Sequence, residues 1–120
     1  MIREGAIVLF ESRTTEGVPD KIRPAVLVRP VPGPHNDWLL AMISTRLHQA
    51  VAGFDMVLFS TDDDFPMTGL KTSSVVRAGR LAIVNSRHLL GRIGDLSSHR
   101  RTQLQQVIAA WILGTSGSLR

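Results

Sequence analysis

Cysteine and tyrosine are both absent from the 120-residue sequence. Without cysteine there can be no disulfide framework, no thiolate-bound zinc and no thiol nucleophile. A reducing compartment is compatible with that absence. Long apolar runs are also missing: the longest, around Trp38 to Ile43, is far too short to span a bilayer. The first five residues, Met1 to Gly5, lack the basic-then-apolar build of a signal peptide. The chain is therefore expected to be soluble and cytoplasmic. Lysine is scarce too. Of fourteen basic residues only Lys21 and Lys71 are lysine, and the rest are arginine. The formal net charge is +4 and the pI about 11.0. Arginine suits planar, bidentate contact with phosphate, and a net positive charge speeds encounter with polyanions. A GC-rich coding bias would produce the same composition, so charge alone decides nothing.

What is present suits one domain with one core. Hydrophobic residues make up 43% of the chain, within the globular range. No repeat, low-complexity segment or interdomain linker occurs. Through residue 96 the apolar clusters are short and turn signals frequent, which favours β structure. Residues 5–10 (GAIVLF), 23–29 (RPAVLVR), 38–44 (WLLAMIS) and 54–60 (FDMVLFS) read as strands. Residues 73–77 and 81–84 read as two short strands split by Ala78 and Gly79, and 89–93 adds a further short one. Residues 13–20 and the proline-rich 30–37 read as loops, and Asp62, Asp63 and Asp64 open another that ends near Gly69. The period then changes. Leu104, Val107, Ile108, Trp111 and Ile112 recur at helical spacing, with Ser97 or Ser98 to cap the start and Gly114 to end the helix. The expected fold is mainly β (α+β): a small SH3-like barrel with an amphipathic C-terminal helix over about residues 97–113, packed on the sheet, and a tail at 114–120.

Three local patterns carry polar chemistry. In the first, Lys21-Ile22-Arg23-Pro24, a guanidinium precedes a proline at the entrance of an apolar strand. Proline fixes its own φ and biases the residue before it to extended backbone, so Arg23 is held on a stiff strand entrance. In the second, a strand ends in Ser44, Thr45 and Arg46. In the third, Gly69-Leu70-Lys71 feeds the β-branched run ending at Arg77. Each has a plainer reading. Arg23 could pair with Glu4, Glu11 or Glu16. Ser44 or Thr45 could satisfy a turn backbone. Arg46 and Arg77 could be solvated arginines.

Taken in order, these patterns resemble the MazF/PemK family of type II toxins over about residues 3–113. The residues that carry the resemblance are the opening strand GAIVLF, Lys21-Ile22-Arg23-Pro24, Ile43-Ser44-Thr45, Gly69-Leu70 followed by Ser74-Val75-Val76, and Ile93-Gly94-Asp95-Leu96-Ser97. The resemblance implies the barrel fold shared by MazF, PemK and CcdB toxins. It also implies a metal-independent, cofactor-free endoribonuclease (an mRNA interferase) acting on single-stranded RNA, a homodimer, and a cognate antitoxin. RNA brings its own nucleophile, the 2′-OH. Cleavage would leave a 2′,3′-cyclic phosphate and a 5′-OH. Arg23 and Ser44 match the catalytic positions, and Lys21, Thr45, Arg46 and Arg77 are expected to contact RNA. Three features depart from the family pattern. Ser44 stands where Thr is usual and lacks the methyl that restricts its rotamer. Gly79 occupies a position where some members carry Asp, two residues after the Arg that Arg77 matches. Residues 81–85 (LAIVN) lack the Arg and Asp of the family's Arg-Thr-Ile-Asp stretch.

Other residues are weighed alongside. His48 could act as a general acid or base or be a loop residue, while His35, His88 and His99 have no ligand spacing. Asp62 to Asp64 could hold a divalent cation but read more simply as an exposed acidic loop. Trp111 is expected in the core, and Trp38 could stack on a base or pack. Two other functions remain. A gyrase-poisoning toxin of the same fold would use its C-terminal residues, which here are small and polar from Thr115 on. A non-catalytic SH3-like RNA-binding module would bind RNA without cutting it.

Overall fold

The structure is a computed structural model and describes residues 2–13, 16–17 and 19–115. Six strands form one antiparallel sheet: β1 (Ala6–Arg13), β2 (Pro19–Pro30), β3 (Asp37–Ser44), β4 (Met56–Leu58), β5 (Ser74–Asn85) and β6 (Leu89–Asp95). Their order is β4-β5-β3-β2-β1-β6. One helix follows, α1 (Ser98–Leu113), and short 3₁₀ turns occur at Leu47–Gln49, Pro66–Thr68 and Ser86–His88. No helix among the described residues is long and apolar enough to cross a membrane.

Strands β1 to β3 are apolar without alternation because both faces of the sheet are covered. Ile7, Val26, Val28, Ala41 and Ile43 face one core cluster, beneath Leu104 and Ile108 of α1. Ala6, Val8, Phe10, Ala25, Leu27 and Leu40 face another, with Trp38, Met42, Val84 and Leu89 packed against it. Two cores within 120 residues require a strongly curled sheet, which is the barrel-like architecture the sequence suggests. Edge strands β4 and β6 do not pair with each other. The gap is bridged by the turn Pro66–Thr68 instead. A Cβ added at Gly94 of β6 would lie 2.3 Å from the Thr68 carbonyl, and one at Gly69 would lie 2.0 Å from the Ile93 oxygen. Gly69 also has φ +72°, where glycine is favoured. Backbone touches backbone, and only glycine permits it.

Four expectations change in detail. Strand β4 is shorter than residues 54–60. The two short strands at 73–77 and 81–84 are one continuous β5 with a large bulge: Ala41 pairs with Leu81 while the next residue, Met42, pairs with Arg77. Three residues, 78–80, are looped out, so Ala78 and Gly79 deform the strand rather than end it. The helix is bounded as expected, with the Ser97 hydroxyl accepting from the Arg100 amide and Gly114 in the left-handed region. Its apolar face, however, is buried only as far as Ile108. Leu104 and Ile108 are buried, but Trp111 is 43% exposed and Ile112 is 67% exposed. Trp111 meets the Phe54 ring edge-on at 5.5 Å rather than entering the core. The loop at 13–20 is narrower than expected, as β1 runs to Arg13 and β2 starts at Pro19. Residues 14, 15 and 18 of that loop and 116–120 of the tail lie outside the described residues.

The acidic loop is pinned to the helix. Arg100 donates from Nε to Asp64 (2.8 Å), from Nη2 to Asp62 (2.8 Å) and from Nη1 to the Val57 carbonyl (3.3 Å). The Arg100 hydrogen bond, with a second from Ser97, holds the Asp64 carboxyl below its ordinary range, and Asp64 in turn raises Arg100. The contact to Val57 also covers part of the exposed β4 edge. Asp62 and Asp64 thus have a protein cation as their partner.

Candidate functional site

Pairing of β2 with β3 runs to Ala25 opposite Met42. Pro24 has no N–H with which to extend that ladder. Continued two residues along both strands, the register sets Arg23 opposite Ser44. Met42 also pairs with Arg77 on β5. Side chains two residues apart on a strand share a face, and so do cross-strand partners. Arg23, Ser44 and Arg77 therefore stand on one sheet face, on three adjacent strands.

Two adjoining clefts open on this face. The first, about 420 Å³, is lined by Lys21, Arg23, Ser44, Thr45, Arg46 and Lys71, among others. The second, about 300 Å³, is lined by Ser12, Arg23, Ser44, Gln49, Arg77 and Arg80, with Met42 and Ile43. Arg23 and Ser44 belong to both, so the clefts meet at this pair. Six of the fourteen basic residues line them, and no carboxylate or imidazole does among the described residues. The lining of the two clefts is therefore cationic.

The side chains are prepared to different degrees. Arg23 is exposed and makes no hydrogen bond or ion pair to a described residue, so the Glu4, Glu11 and Glu16 pairings do not hold it. Glu4 instead accepts from Gln105 (2.7 Å) and lies 3.9 Å from Arg29. The Ser44 Oγ accepts from the Arg46 amide at 3.1 Å. That satisfies the turn and leaves the hydroxyl proton to donate outward. The turn reading and the functional reading of Ser44 are thus compatible. Lys21 is anchored through its backbone: its amide donates to Ser12 Oγ (3.3 Å) and its carbonyl accepts from the same hydroxyl (3.1 Å). Arg77 is fixed by an ion pair from Nε to Asp55 Oδ2 at 3.0 Å. Gly69, through its contact with Ile93, sets the start of Leu70-Lys71-Thr72, which forms one wall of the first cleft.

Several candidates lie elsewhere. His48 is exposed on the Leu47–Gln49 turn and lines neither cleft. His88 borders a separate cleft of about 460 Å³ with Phe10, Met42 and Val84. Trp38 is packed against the second core cluster. Gly79 sits in the bulge, where a Cβ would come within 3.1 Å of the Phe54 ring, so an aspartate there would require that ring to shift by a few tenths of an ångström. A groove of about 320 Å³ between β4 and α1 is bordered by Phe54, Met56, Leu104, Val107 and the committed Arg100. Sequence reasoning missed two residues, Arg80 and Asp55. The Ala78-Gly79 interruption was the available signal for Arg80, since a bulge re-aims neighbouring side chains. Asp55 is a single acid between Phe54 and Met56 with no spacing to mark it.

Such a surface can bind a phosphodiester. A partnerless guanidinium on a stiff strand meets a hydroxyl donor, with further cations on both sides for the neighbouring phosphates.

Comparison with known proteins bears on the family and the fold. The model of a family described as PemK-like, MazF-like toxin of type II toxin-antitoxin system matches residues 3–112. No curated protein matches the sequence. Among solved structures, MazE-MazF from Deinococcus radiodurans is similar with a TM-score of 0.65 at 17% identity, over 96% of this chain and 97% of that one. An endoribonuclease in complex with its cognate antitoxin from a mycobacterial species has a TM-score of 0.63 at 12% identity, over 95% and 96%. The Mycobacterium tuberculosis toxin MazF-mt6 has a TM-score of 0.60 at 19% identity, over 89% and 96%. At these identities the likeness is one of fold.

Proposed function

The chain belongs to the PemK-like, MazF-like toxins of type II toxin-antitoxin systems, and from that membership and its cationic clefts we propose that it is a metal-independent endoribonuclease cutting single-stranded RNA. The observation that carries the reading is the meeting of Arg23 and Ser44 where the two clefts join. The scissile phosphate lies there. Arg23 binds its non-bridging oxygens, and Ser44 donates its hydroxyl proton to the phosphate. Both interactions strengthen as the attacking 2′-OH adds charge to the phosphorus-bound oxygens, which is the condition for lowering the barrier. Lys21, Thr45, Arg46 and Arg77 hold the flanking backbone. The clefts offer no side-chain base among the described residues, so solvent takes the 2′-OH proton. As the P–O2′ bond forms the P–O5′ bond breaks, and the departing 5′-oxygen takes a proton from water, leaving a 2′,3′-cyclic phosphate and a 5′-OH.

In this reading the protein works in the cytoplasm as a homodimer, the commonest symmetric assembly. A cognate antitoxin neutralises it. Two of the similar folds are complexes of that kind by name, one an endoribonuclease with its cognate antitoxin and one a MazE-MazF pair. An acidic antitoxin segment that orders on binding would cover the same cations that hold RNA. The direct test incubates the protein with mixed-sequence RNA in EDTA and maps the ends. Cyclic-phosphate and 5′-OH ends at defined sites support the reading. Intact RNA, or cleavage that depends on added metal, refutes it.

A further inference from the structure

We propose that Arg77 and Arg80 form a second phosphate subsite beside Arg23, and that Asp55 is the positioning residue that presets it. The proposal rests on the RNA reading above and adds two residues to it, Arg80 and Asp55. The bulge in β5 is its first support. Residues 78–80 are looped out between Arg77, opposite Met42, and Leu81, opposite Ala41. A regular strand would turn every second side chain away from the cleft. The bulge lets Arg77 and Arg80, three residues apart, line the same one.

The second support is how Asp55 spends its oxygens. Its side chain is 1% exposed. Oδ2 accepts from Arg77 Nε (3.0 Å) and from the Val51 amide (2.9 Å), and Oδ1 accepts from the Ala78 amide (2.9 Å). One carboxylate therefore fixes the guanidinium, the first looped-out residue of the bulge and the loop before β4. Gln49 Oε1 accepts from Arg77 Nη1 at 3.4 Å, which leaves Nη2 without a partner among the described residues. A buried ion pair adds little net stability over apolar packing, so stability is a weak reason to keep one here. What this pair does is aim a partly exposed arginine at the cleft. Arg23 and Arg80 border the same cleft with no described partner. One buried carboxylate against three guanidiniums leaves the cleft net cationic, and a bound phosphate relieves their repulsion. The nucleic-acid backbone then runs from the Lys21, Arg46 and Lys71 side, past Arg23 and Ser44, to Arg77 and Arg80.

The test measures binding of a mixed-sequence single-stranded 2′-deoxy oligonucleotide, which lacks the nucleophile, across a salt series. Arg80 is exposed, so Arg80→Ala should fold. It should weaken binding and lower the slope of log K against log salt by about 0.7, the loss of one phosphate contact on a single strand. Unchanged affinity and slope overturn the subsite. Asp55→Asn gives a test by sign. It raises the net charge by one, so general electrostatics alone would tighten binding to a polyanion. A positioning role requires weaker binding and a smaller slope instead. Tighter binding by a folded Asp55→Asn protein overturns the positioning role. If that variant fails to fold, Arg77→Lys stands in: it keeps the charge but loses the planar fork, and weakened binding supports the proposal while wild-type affinity overturns it. Cleavage of ordinary RNA by the wild-type chain is read in parallel. Loss of the subsite effect with cleavage intact sinks this proposal alone, whereas absence of cleavage sinks the function on which it rests.

Discussion

Gly94→Ala probes how the open sheet is closed. The added methyl carbon would lie 2.3 Å from the Thr68 carbonyl carbon and oxygen and 2.4 Å from the Met67 oxygen. Ordinary van der Waals contact begins near 3.4 Å, so the turn Pro66–Thr68 has to retreat by roughly an ångström. It cannot do so freely. Thr68 is 1% exposed, donates its hydroxyl proton to the Phe65 carbonyl (2.7 Å) and accepts from the Leu70 amide (3.1 Å). Overpacking of this kind costs about 3 kcal/mol, at the upper end of the usual range because backbone must move. That is a large part of a domain's total stability of about 5–15 kcal/mol. For a chain of this size it lowers Tm by roughly 10 °C. Gly33→Ala is the control. Gly33 has φ +122° and nothing within 4 Å of an added Cβ, so it reports backbone conformation alone, at about 1 kcal/mol. Urea melts of both variants decide the matter. If Gly94→Ala loses no more than Gly33→Ala, the backbone contact does not close the barrel and the reasoning fails. Because Leu70, Lys71 and Thr72 follow the same contact into the first cleft, residual nucleic-acid binding by Gly94→Ala should fall as well.

Other expectations follow from the packing and the charges. Leu104→Ala, at a helix position 2% exposed, should cost about 3 kcal/mol in denaturant melts, whereas Ile112→Ala at 67% exposure should change stability of the monomer by less than about 0.5 kcal/mol. Asp64 has its pKa lowered in the folded protein, chiefly by Arg100. Its contribution is therefore present above the ordinary carboxylate value of 3.8 and is lost as pH falls through the depressed folded value. Asp64→Asn should cost up to about 1 kcal/mol at neutral pH, and the difference from wild type should vanish in strong acid. With no side-chain base in the clefts among the described residues, the rate of RNA cleavage should climb with pH through neutrality instead of following a bell, and EDTA should leave it unchanged.

Much of the architecture was legible because it depends on local pattern. Strands β1 to β3 are short apolar runs between turn signals, and α1 has a cap, a period and a terminal glycine. What escaped depends on contacts distant in sequence. Gly69-Leu70 and Ile93-Gly94 read as separate motifs, yet they are two sides of one backbone contact. Ala78-Gly79 looked like the end of a strand because composition does not distinguish a break from a bulge. Trp111 keeps the period of its helix, but period cannot say how much of that face the fold buries. In the candidate site, Arg23 and Ser44 were marked by their neighbours, a proline and a strand end. Asp55 was not, since an isolated acid just before a strand gains meaning only from the arginine that the fold sets beside it.

The most direct measurement is the single-turnover cleavage rate of Arg23→Ala on a defined RNA, together with its melting temperature. Arg23 is exposed and unpartnered among the described residues, so the melt should match wild type while the rate falls about 100-fold or more, as for loss of one preorganised donor to a charged transition state. A folded variant that cleaves at the wild-type rate would contradict the claim that this guanidinium stabilises the phosphate during RNA cleavage.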